Sequence, residues 1–455
     1  MKSIASHHQG PRLGRLRGLL VVLAAASLVS GCSVAAASPS PTATAMPSSS
    51  PSASTQPSAS PTPQPTPTPL SSIGTAPAGT WTGIRWISAG AAFPQTPVPS
   101  TTTGDWQVGL FGWSEGYVGF RTAFDDSRFS QPQTVDIVST SSADGLHWTA
   151  GRPMDVRGLT DVVDITAVVE GPAGLLAVGY HPPTTCGGPS TVEALWTSPD
   201  GLTWTRVQSP AFFTSASVYT VDAGSTGYIA SGILKDGVTQ AVWLSADGRS
   251  WRQVPLTKAT FGQFVVDGAT DFAAGYVVSG TVASNGGCGG EATVFTPSLW
   301  WSADGTRWTR SKLTGAAPAG DSWITVSRIS DHALMAIASR WDDTTQTYEQ
   351  LVWVTSDGQA WNLVKSPSIV LSSNILTNGQ RGLLAIAPSD DNSPPTIATV
   401  GDDLTVATLT QTGDGPVGSS TNWPSWMSFA AFGPTGIVVL SEDALNLWLG
   451  VPIAP

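Results

Sequence analysis

The chain has 455 residues, with 32 Asp and Glu against 21 Lys and Arg, a formal net charge of −11. That balance argues against nucleic acid or an anionic membrane surface as a partner. Charged residues are scarce at 12%, while 48 Gly and 19 Trp point to turn-rich β structure rather than to exposed helices.

The first 31 residues carry Lys2, Arg12, Arg15 and Arg17 and no acid, followed by an apolar run over Leu19–Val29. A basic start, a short apolar stretch and small residues before a cut make a secretory signal peptide over 1–31. The run is too short to span a bilayer, which takes about 20 residues. Val29-Ser30-Gly31-Cys32 resembles the lipobox of bacterial lipoproteins, although Leu is commoner where Val29 stands. The resemblance implies that Cys32 is acylated and becomes the first mature residue. The protein would then be held outside the cytoplasm on the cell membrane through that lipid. An ordinary signal peptide cut near Ala37 is the alternative.

Residues 32–73 are almost entirely Ser, Pro, Thr, Ala and Gln, without charge. Such a segment buries no core and is expected to be a disordered or polyproline-II tether. At about 3.1 Å per residue it reaches on the order of 100 Å.

Residues 74–455 hold every Asp and Glu and every Trp. One string recurs there: SADGLHW from Ser142, SPDGLTW from Ser198, SADGRSW from Ser245, SADGTRW from Ser302 and TSDGQAW from Thr355. A worn sixth copy, VGDDLTV, begins at Val400 and has Asp402 in the aspartate position. A strand with Trp in one fixed place precedes four of the copies, at Trp196, Trp243, Trp300 and Trp353, and Trp448 fills the same place near the C-terminus. A second series is a short apolar strand entered through Gly116, Gly174, Gly227, Gly275, Gly382 and Gly436, with Ala333 in the fifth place. Both series count seven units. No stretch reads as an amphipathic helix. The expected fold is therefore all-β, a seven-bladed β-propeller of four-stranded antiparallel blades. The last unit lacks its outer strand, and AGTWTGIRW places Trp81 like Trp204. The termini are thus expected to share the last blade.

The repeats resemble Asp boxes, the hairpins of bacterial sialidases and related propellers (BNR repeats). Here Asp and Gly are adjacent, one residue closer than in the sialidase form. The resemblance implies structural roles on the outer turns, away from the ligand face, for Asp144, Gly145 and Trp148; Asp200, Gly201 and Trp204; Asp247, Gly248 and Trp251; Asp304, Gly305 and Trp308; and Asp357, Gly358 and Trp361. The chemistry agrees. A carboxylate accepts the N–H groups a tight turn leaves over, Gly supplies a backbone angle others resist, and Trp packs between sheets. Sialidases need an arginine triad, a Tyr–Glu pair and an Asp acid. Phe120-Arg121-Thr122 is faintly similar to the arginine strand, but it reads as a second strand, and the rest of the set does not assemble.

Ligand contacts are expected on the rim opposite the boxes, in the longer second-to-third loops Ala123–Gln133, His181–Thr191, Ala283–Pro297 and Arg340–Glu349. Candidate rim residues are Arg121, Asp125, Asp126, Arg128, Arg340, Trp341, Asp342, Asp343 and Tyr348, with His181 and Glu291. Aromatic and acidic groups together suit a glycan, a peptide or a cation; ordinary solvated loops are the plain alternative. Mature His147, His181 and His332 have no ligand spacing, and no cofactor motif or metal set is expected. Cys186 and Cys288, each in Cys-Gly-Gly, are a candidate disulfide across equivalent loops, or two free thiols. The leading expectation is a monomeric, non-enzymatic binding or assembly module for a glycan, peptide or envelope protein. A sialidase-like glycoside hydrolase and a structural envelope protein are the alternatives.

Overall fold

A computed structural model describes residues 80–91, 106–125, 133–159, 163–181, 191–207, 216–236, 239–284, 294–315, 322–342, 347–364, 374–378, 382–387, 396–413, 430–440 and 446–453. The 1–31 and 32–73 segments, with Cys32, and also Asp126, Arg128, Cys186, Cys288, Glu291 and Asp343 lie outside the described residues.

Seven sheets follow one another along the chain. Blade one is built from Trp106–Trp113, Gly116–Asp125, Gln133–Ser142 and Arg152–Pro153, hydrogen-bonded in that order and antiparallel throughout. The inner strands of blades two to seven are Asp164–Gly171, Ala216–Ala223, Phe264–Phe272, Ser322–Ser330, Asn374–Asn378 and Ala430–Gly433. The Gly-led apolar strands are the second strands, and the Trp-bearing strands are the third. The only helix among the described residues is the single turn Lys258–Phe261.

The ring closes through its termini. Gly83–Ala91 runs antiparallel to Asn446–Ile453 as the outer strand of blade seven. Trp81, just ahead of it, is buried and meets Phe432 of the inner strand edge-on, with centroids 5.4 Å apart. Two blades go beyond four strands. Lys312–Leu313 pairs in parallel with the outer strand Ala360–Val364 of blade five, and Thr410–Thr412 does the same to Gly83–Arg85 of blade seven. In both places chain leaving one blade covers the open edge of the next, as a sheet edge requires.

The core is divided into seven hydrophobic clusters, one between each pair of neighbouring blades. The third-strand Trp residues dominate them. Trp196, Trp243, Trp300 and Trp353 lie opposite Ala177, Ala230, Val278 and Ala336, and all four are fully buried. A small cross-strand neighbour leaves room for each indole. Trp196 and Trp353 also donate Nε1–H to the carbonyls of Asp155 and Thr314, 3.0 and 2.8 Å away in the chain that links blades. Truncating such a buried indole to Ala costs about 3–5 kcal/mol.

The five Asp-Gly-x-x-Trp repeats are the turns between third and fourth strands. In each, one carboxylate oxygen accepts the N–H groups two and three residues on: Asp144 from Leu146 and His147, Asp200 from Leu202 and Thr203, Asp247 from Arg249 and Ser250, Asp304 from Thr306 and Arg307, Asp357 from Gln359 and Ala360. The following Gly has φ between 67° and 76° in all five, the left-handed region. Four of the Trp indoles close the turn by donating to that Gly carbonyl, at 3.0–3.2 Å. The short Asp-Gly spacing thus forms a closed, fully hydrogen-bonded turn.

The worn sixth copy is built differently. Asp403, not Asp402, accepts from the N–H and hydroxyl of Thr405, at 3.0 and 2.7 Å. Gly401 and Thr405 pair across the turn, and Leu404 takes the left-handed angle, φ 61°, with its side chain buried. Without a Gly after Asp402, the positive angle moves one residue on, and burial of Leu404 between blades five and six holds it there. Val406 stands where the other boxes have Trp.

Blades two, three and four share a further feature. Their inner strands bulge at the same register, at Thr166, Tyr219 and Asp267, opposite the fifth and sixth residues of GLLAVG, GYIASG and GYVVSG. In blades three and four the terminal Gly of the motif allows it. A Cβ on Gly232 or Gly280 would lie 2.1 Å from the inner-strand carbonyl of Ser217 or Val265. Blades one and five, with Arg121 and Ala338 in that position, pair regularly there.

Candidate functional site

The chain order gives the ring two unlike faces. One carries the first-to-second turns and the Asp boxes; the other carries the links between blades and the second-to-third hairpins. On the rim these hairpins are longer than the sequence suggests. Strand pairing runs out to Asp125 with Gln133, His181 with Thr191, Ser284 with Val294 and Asp342 with Thr347. The loops shrink to 126–132, 182–190, 285–293 and 343–346. Polar, Thr-rich positions still complete the ladder because the backbone, not the side chain, makes it. In blade five the register sets Trp341 opposite Tyr348 and Arg340 opposite Glu349. Their side chains, like those of Asp125, Asp342 and His181, lie outside the described residues.

Arg121 is placed in full. It sits on the second strand of blade one, half-buried, one ladder step diagonal to Asp136 on the third. Burial pushes the Asp136 carboxyl up and the Arg121 guanidinium down, and their mutual attraction opposes both shifts. Arg121 therefore spends its charge within its own sheet.

On the opposite face the inner strands of blades three, four and five meet in an ionic cluster that the sequence did not announce. Arg328 donates through Nη2 to Asp222 Oδ2 at 3.3 Å and to the carbonyls of Ala223 and Asp271. Asp271 has no exposed surface and takes the N–H of Gly227 at 3.0 Å, the N–H of Thr226 at 3.2 Å and the Thr226 hydroxyl. Burial pushes Asp271 up to about 6; its hydrogen bond from Thr226 and the Arg328 charge pull the other way, and Asp222 adds to the rise. Asp222 is raised for the same first reason, with Arg328 opposing. No spacing in the sequence marks these three residues, because 106 positions separate Asp222 from Arg328.

The latch at Asp271 has a counterpart. Glu170, at the equivalent place in blade two, accepts the N–H of Ser114 at 2.8 Å and also its hydroxyl from the turn of blade one. Tyr117 and Tyr228 add hydroxyl bonds to the carbonyls of Gly436 and Gly174 in the preceding blades, at 2.9 and 2.7 Å. Glu170 and Asp271 are thus engaged by neighbouring turns.

The box carboxylates are equally engaged. Burial raises Asp247, but N–H groups of Ser250 and Arg249 and hydroxyls of Ser245 and Ser250 outweigh it and hold it at about 2. Asp304 is lowered chiefly by the Arg307 N–H. His147 Nδ1 lies 2.7 Å from Asp144 Oδ2 on the surface. Among the described residues no group of three or more His, Cys, Asp and Glu is arranged to hold a metal ion, and no helix is long and apolar enough to cross a membrane.

No family model matches the chain, and no curated protein matches it. Among solved structures it is similar to the β-propeller domain of the Trilobed protease from Pyrococcus furiosus, at 8% identity and TM-score 0.42, over 76% of this chain and 94% of that one. It is also similar to an exo-β-1,3-galactanase from Clostridium thermocellum, at 10% and 0.33, over 81% and 86%. A third is an acylaminoacyl peptidase from Pyrococcus horikoshii, at 8% and 0.42, over 77% and 52%. Likenesses this distant concern the fold alone. A β-propeller is a scaffold for binding or for catalysis, and the site on it decides which.

Proposed function

We propose that the chain is a lipid-anchored, extracytoplasmic binding or assembly module whose partner is a glycan, a peptide or an envelope protein. The observation that favours the non-enzymatic part is the engagement of the charged groups named above among the described residues. The five repeat aspartates are hydrogen-bonded by their own turns, Glu170 and Asp271 by neighbouring turns, and Arg121 lies in the field of Asp136. A glycosidase needs two carboxyl groups free to move protons across a bound sugar. The anchored, exported part rests on the basic leader, the apolar run and Cys32.

Two experiments test the reading. Cys32→Ser should move the protein from the membrane fraction to the medium; a variant that stays on the membrane sinks the anchor. The purified propeller should bind an immobilised glycan or peptide without turning it over. Release of a fluorogenic sialoside, lost on Arg121→Ala, would overturn the non-enzymatic reading in favour of a sialidase-like hydrolase.

A further inference from the structure

Charge is sorted radially in the ring. The inner strands hold Asp164, Glu170, Asp222, Asp267 and Asp271, with Arg328 as their one cation. The outer strands reverse the sign. Gly83–Ala91, Arg152–Pro153, Thr205–Arg206, Arg252–Pro255 and Thr309–Arg310 each contain one arginine, and no outer strand contains Asp or Glu. Those arginines belong to blades seven, one, two, three and four, an unbroken arc of the ring. Arg249 and Arg307, in the turns of the third and fourth repeats, and Lys312, in the short strand covering the edge of blade five, extend the same wall. All are exposed except Arg206, which is half-buried.

Neutral groups position these arginines. Arg152 Nη1 donates to the Thr203 hydroxyl of the next blade at 3.4 Å, Arg249 Nε to the Thr197 hydroxyl at 3.1 Å, Arg310 Nη2 to the Ser298 hydroxyl at 2.9 Å, and Arg206 to the Arg157 carbonyl. The Arg310 guanidinium also lies over the Trp300 ring, 5.5 Å from its centroid. Among the described residues none of the wall arginines has a carboxylate within ion-pair distance; Asp155, which feels the charge of Arg206, is held by Arg157 at 2.9 Å. The other acids of the wall are the repeat aspartates, whose carboxylates face the N–H groups of their own turns. A guanidinium aimed by neutral neighbours keeps its charge and most of its donors for an oxyanion.

Three features define the anion. One arginine to a blade, blade after blade, suits a chain of spaced charges rather than a single small ion. Outer strands of two residues, in blades one, two and four, give a peptide no ladder to extend. Among the described residues the only exposed large apolar side chain is Leu363, so the wall offers bases no ring to stack on.

We propose that the outer wall of blades seven and one to four binds a base-free phosphodiester polymer along its arginines. This goes beyond the binding-module reading and does not depend on it. With a formal net charge of −11 the chain as a whole repels polyanions, so binding has to come from where the charges lie. Fluorescence anisotropy on the whole chain tests it, with a labelled abasic oligodeoxynucleotide, a bare phosphodiester chain, as probe. The protein should bind it at low salt, with an affinity that falls as salt rises by a slope of about 0.7 per phosphate contacted. Arg252→Gln with Arg310→Gln, and separately Arg85→Gln with Arg152→Gln, should each weaken binding roughly ten-fold and lower that slope by about 1.4. Lys235→Gln with Lys258→Gln removes the same charge away from the outer strands and should change binding less than about two-fold. Unchanged thermal melts identify the variants as folded. Equal losses in all three double variants would show attraction to net charge alone and overturn the site, as would an effect of only one arginine pair. Oligo(dT) binding more tightly than the abasic chain, or polyglutamate binding equally well, overturns the ligand class in favour of nucleic acid or acidic peptide. No binding of the abasic chain overturns the inference and leaves the binding-module reading standing.

Discussion

Arg328 and Asp222 belong to inner strands two blades apart, yet Nη2 of one lies 3.3 Å from Oδ2 of the other. The arginine reaches past blade four and, on the way, takes the carbonyl of Asp271 in that blade's inner strand. One guanidinium thereby ties three consecutive blades at the axis, on the Asp-box face.

Removing that tie should be costly. Arg328→Met leaves Asp222 and Asp271 facing each other in a buried place without a cation, and loss of one partner from a buried pair costs about 3–5 kcal/mol. Arg328→Lys should rescue little, because a single ammonium does not reproduce the planar reach to several acceptors. Adding Asp222→Asn to Arg328→Met should restore part of the loss. Urea unfolding of the four proteins measures all of this; a stable Arg328→Met protein would mean that the cluster is incidental.

The same acids predict an unusual response to pH. Asp271 sits at about 6 in the folded ring against 3.8 ordinarily, and Asp222 is also raised. The folded state holds these protons more tightly than the unfolded chain, so stability should rise as pH falls from about 7 to about 5. Asp247, held at about 2, works the other way: its contribution is full above about 4 and is lost as pH falls through 2. Thermal melts should therefore peak near about pH 4. In Asp271→Asn the rise between neutral and mildly acid pH should shrink. A midpoint that falls steadily from neutral pH downward would contradict the assignment.

The box glycines should not be equivalent. Gly201→Ala meets nothing closer than 3.5 Å, so its cost is the left-handed angle alone, about 1–2 kcal/mol. Gly358→Ala brings a Cβ within 2.3 Å of the Trp301 ring, which is pinned by its 3.1 Å bond to Ala274 O. Overpacking adds about 1–3 kcal/mol to the angle strain there. Equal melting temperatures for the two variants would show that packing around Gly358 is softer than it looks.

Trp81 carries the closure of the ring. Trp81→Ala should cost about 3–5 kcal/mol and loosen the outer strand of blade seven, leaving the Asn446–Ile453 edge free to pair with another molecule. Size-exclusion chromatography should show concentration-dependent oligomers. A monomer of unchanged stability would mean that strand pairing alone closes the ring.

The blade count, the boxes and the shared last blade were legible because they repeat: short local strings with a turn at fixed offset leave the same mark each time. The sixth box was misread by one residue because Asp402 and Asp403 both fit a degraded pattern, and the positive angle at Leu404 depends on burial between blades. The Arg328 cluster was invisible because it forms across blades from residues with no common spacing. The bulges left a readable trace that was passed over. GLLAVG, GYIASG and GYVVSG end in Gly, whereas the matching place holds Arg121 in blade one and Ala338 in blade five. On the rim, strand pairing outran the predicted loops because backbone ladders do not require apolar side chains.

The pairing of Thr82 N with Ile453 O spans 371 positions. The strand that completes blade seven is made near the beginning of the domain, and its partner comes almost at the end. During synthesis six blades can be assembled in order while the seventh has only its edge. Closure waits until Asn446–Ile453 has been made, and it doubles as a checkpoint: a chain that stops short of Asn446 leaves the Gly83–Ala91 edge exposed to proteases and chaperones.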